Sequence, residues 1–356
     1  MPSRNEVVIA AAGSGKTTRL VNEALNDPSA RVLITTYTRE NLAEIGSRLW
    51  SGSASAPHQV VAMTWFEFLL REGIKPYQAY KTDILSIRSV NFDSQPPRYA
   101  REANFDQYFV DSAGNVYRDR VSNLACKLDD LSGGRVVARL ARCFSLILLD
   151  EIQDFAGYDL ELVRRLLDCG ARVIGVGDPR QSVYVTNYSP KNKGLRRAQI
   201  VEWIEQQEAA GLVAVSNLTD SYRCNQPICD YADALYPDLP ETVGKNTEVV
   251  DHMGVHLVHV DDLERYREEL GPQELRWDRR NSLALPSARN FGEVKGKSFN
   301  RVLIFPTNPM SSYIESGTEL AQGARSKFYV AVTRARHSVG LVTRTRASSS
   351  GLPYWA

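Results

Sequence analysis

Ala10-Ala-Ala-Gly-Ser-Gly-Lys-Thr17 follows the apolar run Glu6–Ala11 and opens the amphipathic stretch Lys16–Leu25. A glycine-rich turn between a buried strand and a helix is the setting a phosphate-binding loop requires. Gly13 and Gly15 free the backbone to turn its N–H groups toward phosphate oxygens. The helix that begins near Lys16 adds its positive end; Lys16 then reaches the β/γ-phosphates and Thr17 ligates Mg²⁺. Ala12, Gly13, Ser14, Gly15, Lys16, Thr17 and Thr18 are therefore the expected nucleotide-binding residues, with ATP or another NTP and Mg²⁺ as cofactors. Ala10 stands where the pattern has its first glycine. The complement is Leu146-Ile-Leu-Leu-Asp-Glu-Ile-Gln-Asp154, a buried strand from which two adjacent acids emerge. Asp150 is expected to hold the Mg²⁺ shell and Glu151 to act as general base on the attacking water.

Outward from this loop, short apolar runs alternate with amphipathic stretches. Arg31–Thr35, Gln59–Met63, Ser145–Leu149 and Arg172–Val176 read as buried strands ending in small, polar or charged residues. Between them, Lys16–Leu25 stops at Asp27-Pro28, Glu40–Trp50 closes on Ser-Gly, and Tyr158–Leu167 closes on Gly170. This βαβ alternation predicts an α/β fold with parallel sheets flanked by helices. A second set of strands, Leu212–Val215, Val255–Val260, Arg301–Phe305 and Ser338–Val342, predicts a second domain from residue 211 to 356, after a first of 1–210. Residues 71–140 break the rhythm with Gln-Pro-Pro and an Asp111–Asn115 turn, and read as a small inserted subdomain.

The 356 residues carry a net charge of +1 and are 43% hydrophobic, enough for two domains with cores. Near-neutrality excludes a wholly basic coat protein but allows a local basic groove. No apolar run reaches the ~18–20 residues a membrane span needs. The first residues lack the apolar core of a signal peptide, and five scattered cysteines fit reduced thiols. A cytoplasmic, intracellular location without membrane contact is the expectation.

Seven stretches in order give the chain a family likeness. They are Ala10–Thr17, Thr35-Thr-Tyr-Thr-Arg-Glu40, Met63-Thr-Trp-Phe-Glu-Phe68, Asp150–Asp154, Gly177-Asp-Pro-Arg-Gln-Ser-Val-Tyr184, Asp220-Ser-Tyr-Arg223 and Tyr329-Val-Ala-Val-Thr-Arg-Ala-Arg336. Together they resemble superfamily 1A DNA helicases, the UvrD/Rep/PcrA-like group, over nearly the whole chain. The resemblance implies two RecA-like P-loop NTPase domains and ATP hydrolysis coupled to 3′→5′ movement on single-stranded DNA. It implies that Gln181 reports the γ-phosphate, that Tyr222 stacks on the base, and that Arg223 and Arg334 neutralise phosphoryl charge across an interdomain cleft. It places Thr36, Tyr37, Thr38, Arg39, Thr64, Trp65, Phe66, Tyr184 and Lys295 at the nucleic acid, the aromatic residues offering faces on which bases stack. Read alone, Trp-Phe-x-Phe at helical spacing equally suits a core face, and the Lys191–Arg197 basic cluster equally suits a solvated one.

Several departures qualify the likeness. Asn290, Gly292 and Ser298 stand where these relatives carry a threonine, a histidine and a ribose-contacting acid, although Lys295, Gly296 and Phe299 match. Glu293 is the candidate to replace part of that function. The upstream adenine-reading glutamine has no counterpart, so other NTPs are expected as substrates. About 70 residues separate Arg223 from Lys295, too few for the relatives' second accessory domain, and Thr186 replaces a stacking aromatic. Weak, short-range unwinding follows. A rival of another class is an NTP-dependent sensor or switch subunit that controls a partner nuclease, toxin or other effector.

Overall fold

A computed structural model describes residues 5–51, 58–81, 86–183, 191–346 and 350–355. They form two compact units. The first contains residues 5–9, 16–179 and 191–216, and the second contains 10–15, 180–183 and the chain from Asn217.

In the first unit, β1 (Glu6–Ala10) leads through the glycine loop to α1 (Lys16–Leu25), then β2 (Val32–Thr36), α2 (Arg39–Ser51) and β3 (Val60–Thr64). After an inserted segment come β6 (Leu146–Asp150), α7 (Tyr158–Leu167), β7 (Arg172–Gly177), α8 (Ile200–Ala209) and β8 (Ala214–Leu218). The sheet order is β3-β2-β6-β7-β1-β8. Registers such as Val32↔Leu146, Leu146↔Arg172 and Glu6↔Ile174 are all parallel. Every residue of β2 and β6 is buried, which is why both read as unbroken apolar runs and not as alternating ones. Parallel registry brings Ala10, Thr36, Thr64, Asp150 and Gly177 to the same carboxyl edge of the sheet, where α/β folds bind ligands.

Between β3 and β6 lie α3 (Trp65–Phe68), a paired β4 (Val90–Asn91) and β5 (Val116–Tyr117) flanking α4 (Phe105–Phe109), then α5 (Val121–Leu131) and α6 (Arg135–Cys143). The described residues of this insertion share the core of the sheet. Phe105, Phe109, Val121, Leu124 and Leu128 belong to the same apolar cluster as Leu33, Met63, Ile147 and Leu166 of the sheet and its helices. About 70 residues bury too little surface to stand alone comfortably, so sharing a core is the stable solution.

One strand assignment changes. The Leu212–Val215 stretch, expected to start the second domain, contributes to β8, which forms the edge of the first sheet beside β1. The Asn5 side chain donates to the Leu212 carbonyl at 2.9 Å, and the Ala214 amide donates to Asn5 O at 3.0 Å. Hydrophobic pattern alone does not say which sheet a half-exposed edge strand joins.

The second unit carries a small β9 (Asp220–Ser221) and β10 (Val243–Gly244) pair, with α9 (Gln226–Asp233) between them. Then follow β11 (Gly254–His259), α10 (Leu263–Leu270), β12 (Gln273–Arg276), β13 (Arg289–Asn290), β14 (Phe299–Phe305), α11 (Asn308–Ser316), α12 (Gln322–Val332) and β15 (Ala335–Thr343). Its five-stranded parallel sheet has the order β11-β15-β14-β12-β13. The α9 start follows from sequence: the Asn225 side chain accepts from the Ile228 amide at 3.3 Å, and Pro227 lies in the first turn. Among the described residues no helix is long and apolar enough to cross a membrane.

Candidate phosphate and nucleic-acid sites

In the first unit, Lys16 and Thr17 open α1, both half-buried. Thr18 turns outward, and its hydroxyl accepts from Arg48 Nη1 at 2.6 Å. The Thr18 hydroxyl thus serves α2. Asp150 ends β6 and is buried. Glu151 follows in the left-handed region at φ 52°, an uncommon conformation for a residue with a Cβ. Gln153 braces its side chain. Its Nε2 donates to the Glu151 carboxylate, and its Oε1 accepts from the Asp178 amide at 3.0 Å. A Cβ on Gly177 would overlap Gln153 Oε1, so glycine is required where the amide passes. Gln153 was visible in the Asp-Glu-x-Gln-Asp run, but its role as a brace depends on Asp178, which spacing does not reveal.

In the second unit, the loop Ala10–Gly15 packs against the start of the Tyr-Arg element. Ser221 Oγ donates to Ala12 O at 2.7 Å, and the Tyr222 amide donates to Gly13 O at 3.0 Å. Gly13 adopts φ +77°, and a Cβ there would come within 2.6 Å of Arg223 Cβ. Glycine at this position therefore admits the Arg223 segment as well as freeing the loop. Among the described residues the buried Ser14 hydroxyl has no hydrogen-bond partner. Tyr222 is 68% exposed, with its ring in the open. Arg223 Nη1 donates to Thr333 O at 3.0 Å.

Gln181 and Arg334, 153 residues apart in the chain, are joined: Arg334 Nη2 donates to Gln181 Oε1 at 3.2 Å. Arg334 is buried and also donates from Nε to Val330 O at 3.0 Å and from Nη1 to Lys297 O at 3.2 Å. Arg180, which the sequence reading passed over, is 2% exposed and ion-paired to Asp233 at 3.2 Å, anchoring the segment that carries Gln181. The neighbouring Cys224 thiol lies below its ordinary value because it hydrogen-bonds Cys229, with Arg223 and Arg334 acting in the same direction. All five cysteines are free.

The residues expected at the nucleic acid divide by exposure. Thr38 and Arg39 are exposed, and Thr38 Oγ1 accepts from the Asn41 amide at 3.1 Å. Tyr37, Thr64 and Phe66 are half-buried; Thr64 caps α3 by accepting from the Glu67 amide at 3.3 Å. Two side chains do not fit the expectation. Thr36 is fully enclosed, its hydroxyl accepting from Asn41 Nδ2 at 3.4 Å. Trp65 is also fully enclosed, its indole N–H donating to Asp159 at 2.9 Å, so its ring is a core ring and offers no face for a base. Helical spacing marks which residues share a face but not whether that face is wet. Lys295 follows the Phe291–Val294 turn, half-buried. Glu293 is consumed locally: its carboxylate accepts from the Asn290 amide at 3.1 Å and from Asn290 Nδ2 at 2.9 Å. Tyr184 and Thr186 lie outside the described residues.

Residues 1–187 match the AAA domain family, and residues 117–343 match the viral superfamily 1 RNA helicase core domain family. Among solved structures, an Arterivirus nonstructural protein 10 helicase is 17% identical, with 96% of this chain and 60% of that one covered and a TM-score of 0.48. The PRRSV helicase is 17% identical, with 96% and 53% covered and a TM-score of 0.47. The Arterivirus helicase solved with DNA is 16% identical, with 96% and 61% covered and a TM-score of 0.49. The chain thus spans between about half and three fifths of the length of these structures. No curated protein matches it.

Proposed function

The chain belongs to the superfamily 1 helicase-like domains, and on that premise we propose that it is an NTP-hydrolysing nucleic-acid motor. The finer reading is a UvrD/Rep/PcrA-like 1A motor moving 3′→5′ along single-stranded DNA, with two RecA-like motor domains at residues 1–210 and 211–356. The observation that carries the reading is the bracing of Glu151 by Gln153 and the Asp178 amide. A carboxylate held this way at the carboxyl end of a parallel sheet is placed for general-base work on water. The partnerless Ser14 hydroxyl fits a phosphate oxygen, and the Asp150 carboxylate with the Thr17 hydroxyl supplies the hard oxygen donors Mg²⁺ prefers. In this reading Lys16 and the Ala12–Gly15 amides hold phosphates, and Thr17 and Asp150 hold the ion. When bound, the ion neutralises phosphate charge. Glu151 takes the proton from water, Tyr222 offers the base a face, and Gln181, Arg223 and Arg334 respond to phosphate charge.

Glu151→Gln keeps size and hydrogen bonding but removes the base. Turnover of ATP is expected to fall about 10²–10³-fold, within the range for general-base loss. The wild-type rate is expected to rise with single-stranded DNA, and RNA is assayed alongside because the matched family is an RNA helicase core. Turnover that responds to neither strand overturns the motor. It would favour the second reading, an NTP-dependent switch controlling an effector nuclease or toxin. That reading draws on Glu293, whose carboxylate is taken up by Asn290 in place of contacting a ribose.

A further inference from the structure

Asp159, at the start of α7, is a buried carboxylate that none of the chemistry above uses. Tyr37 Oη donates to its Oδ2 at 2.5 Å, Trp65 Nε1 donates to its Oδ1 at 2.9 Å, and the Ala156 amide donates to Oδ2 at 3.2 Å. Ser122 Oγ donates to Oδ1 as well. These donors come from the residue after β2, the first residue of α3, helix α5 of the insertion, and the turn after β6. Burial pushes the Asp159 pKa up, and the Ser122, Tyr37 and Trp65 donors oppose that. A buried carboxylate is tolerable only when its acceptor sites are filled, so the cluster fixes these four segments together. Rings close around it: Phe155 meets Tyr37 at 5.1 Å and Trp65 at 4.7 Å, both edge-on, and Tyr37 meets Phe66 at 5.7 Å.

From Asp159 the chain runs back through a tight turn to Glu151. The Phe155 amide donates to Ile152 O at 3.1 Å, and the Asp154 amide donates to Glu151 O at 2.8 Å. Glu151 itself occupies the left-handed region, which persists only where its surroundings enforce it. One end of this turn thus carries the proposed base. The other end shares its carboxylate with segments bearing Tyr37 and Phe66.

We propose that Asp159 is a positioning residue that couples nucleic-acid engagement at Tyr37–Arg39 and Phe66 to the placement of the Glu151 carboxylate. The proposal rests on the motor reading above. A strand pressing on those segments displaces donors that Asp159 shares with the turn, and a close-packed cluster passes the displacement on because it has no slack. The element both sites bias is the turn from Glu151 to Asp159.

A purely architectural Asp159 would change stimulated and unstimulated turnover by one common factor; a coupling residue changes their ratio. The test uses the full chain, with Asp159→Asn and Ser122→Ala. ATP turnover is measured with and without a single-stranded oligodeoxynucleotide, alongside oligonucleotide affinity by fluorescence anisotropy and Tm. Asp159→Asn is expected to keep its unstimulated rate and its affinity within about threefold while its stimulation falls about tenfold, inside the range for coupling positions. Ser122→Ala, which withdraws one donor, is expected to lose about threefold of the stimulation. A wild-type stimulation ratio in folded variants overturns the relay, as does an equal fall in both rates. Should Asp159→Asn not fold, the Ser122→Ala ratio decides. Absence of stimulation in the wild-type chain overturns the motor reading and the relay with it, whereas stimulation that survives in the variants overturns the relay alone.

Discussion

Asp159 in the first unit and Arg334 in the second are both buried ionisable side chains that gather segments distant in sequence, and they do so by opposite chemistry. Asp159 receives three of its four hydrogen bonds from side chains, those of Tyr37, Trp65 and Ser122. Arg334 divides its donors evenly, two to the main chain at Val330 O and Lys297 O and two to the Gln181 and Thr333 side chains. A cluster built on side-chain donors depends on the identity of each partner. A guanidinium fork reading carbonyls depends chiefly on where the backbone lies. The Arg334 knot therefore depends on partner side chains for half of these bonds, the Asp159 knot for three of four.

The largest stability effect expected from this contrast is at the arginine. Arg334→Met leaves buried carbonyls and the Gln181 amide without their donor, and at ~1–3 kcal/mol per orphaned group the unfolding free energy should drop by about 3 kcal/mol. Urea unfolding measures this; an unchanged midpoint would show that the second unit does not rely on the knot. Next comes pH. Burial first, then the neighbouring His256 and Arg301, push the His252 pKa from 6.5 down to about 4. Its folded-state pKa is depressed, so the neutral form's contribution is complete above pH 6.5 and is lost as the pH falls toward about 4. The denaturation midpoint should decline through that window. In His252→Gln, which keeps a group able to bond Tyr266 Oη, the decline should flatten; an equally steep decline would assign it to other groups. The smallest effect is expected at Thr18→Ala, within ~0.5 kcal/mol, as for surface positions generally. Because its hydroxyl faces Arg48, nucleotide affinity should not change; a large loss of affinity would restore Thr18 to the phosphate set.

Legibility in the sequence followed the range of the interactions involved. The loop before Lys16 could be read because strand, glycines and helix are contiguous, and α1 and α7 occupy Lys16–Leu25 and Tyr158–Leu167 as their spacing predicts. The sequence pattern puts Leu212–Val215 in the second domain whereas β8 lies beside β1, because an edge strand's partner is a long-range matter. For Trp65 the spacing leaves a core face and a base-stacking face both open, because period and propensity do not report exposure. Glu293 looked available for a ribose until its capping bonds to Asn290 were seen. Asp159 lies in none of the seven family-like stretches; its partners at 37, 65 and 122 are invisible to any local pattern.

The sequence by itself determined the α/β class, the parallel strands, the strand–glycine loop–helix at its start and the identity of the acids at the end of β6. Each of these is written in short-range periodicity and in residues adjacent along the chain. Tertiary structure alone decided which sheet β8 joins, that Gln153 braces Glu151 through Asp178, and that Gln181 meets Arg334. It also decided that Trp65 and Asp159 form a core and not a surface. The physical reason is that burial and long-range hydrogen bonds exist only once strands far apart in sequence have paired, and no local spacing encodes which donor will meet which acceptor.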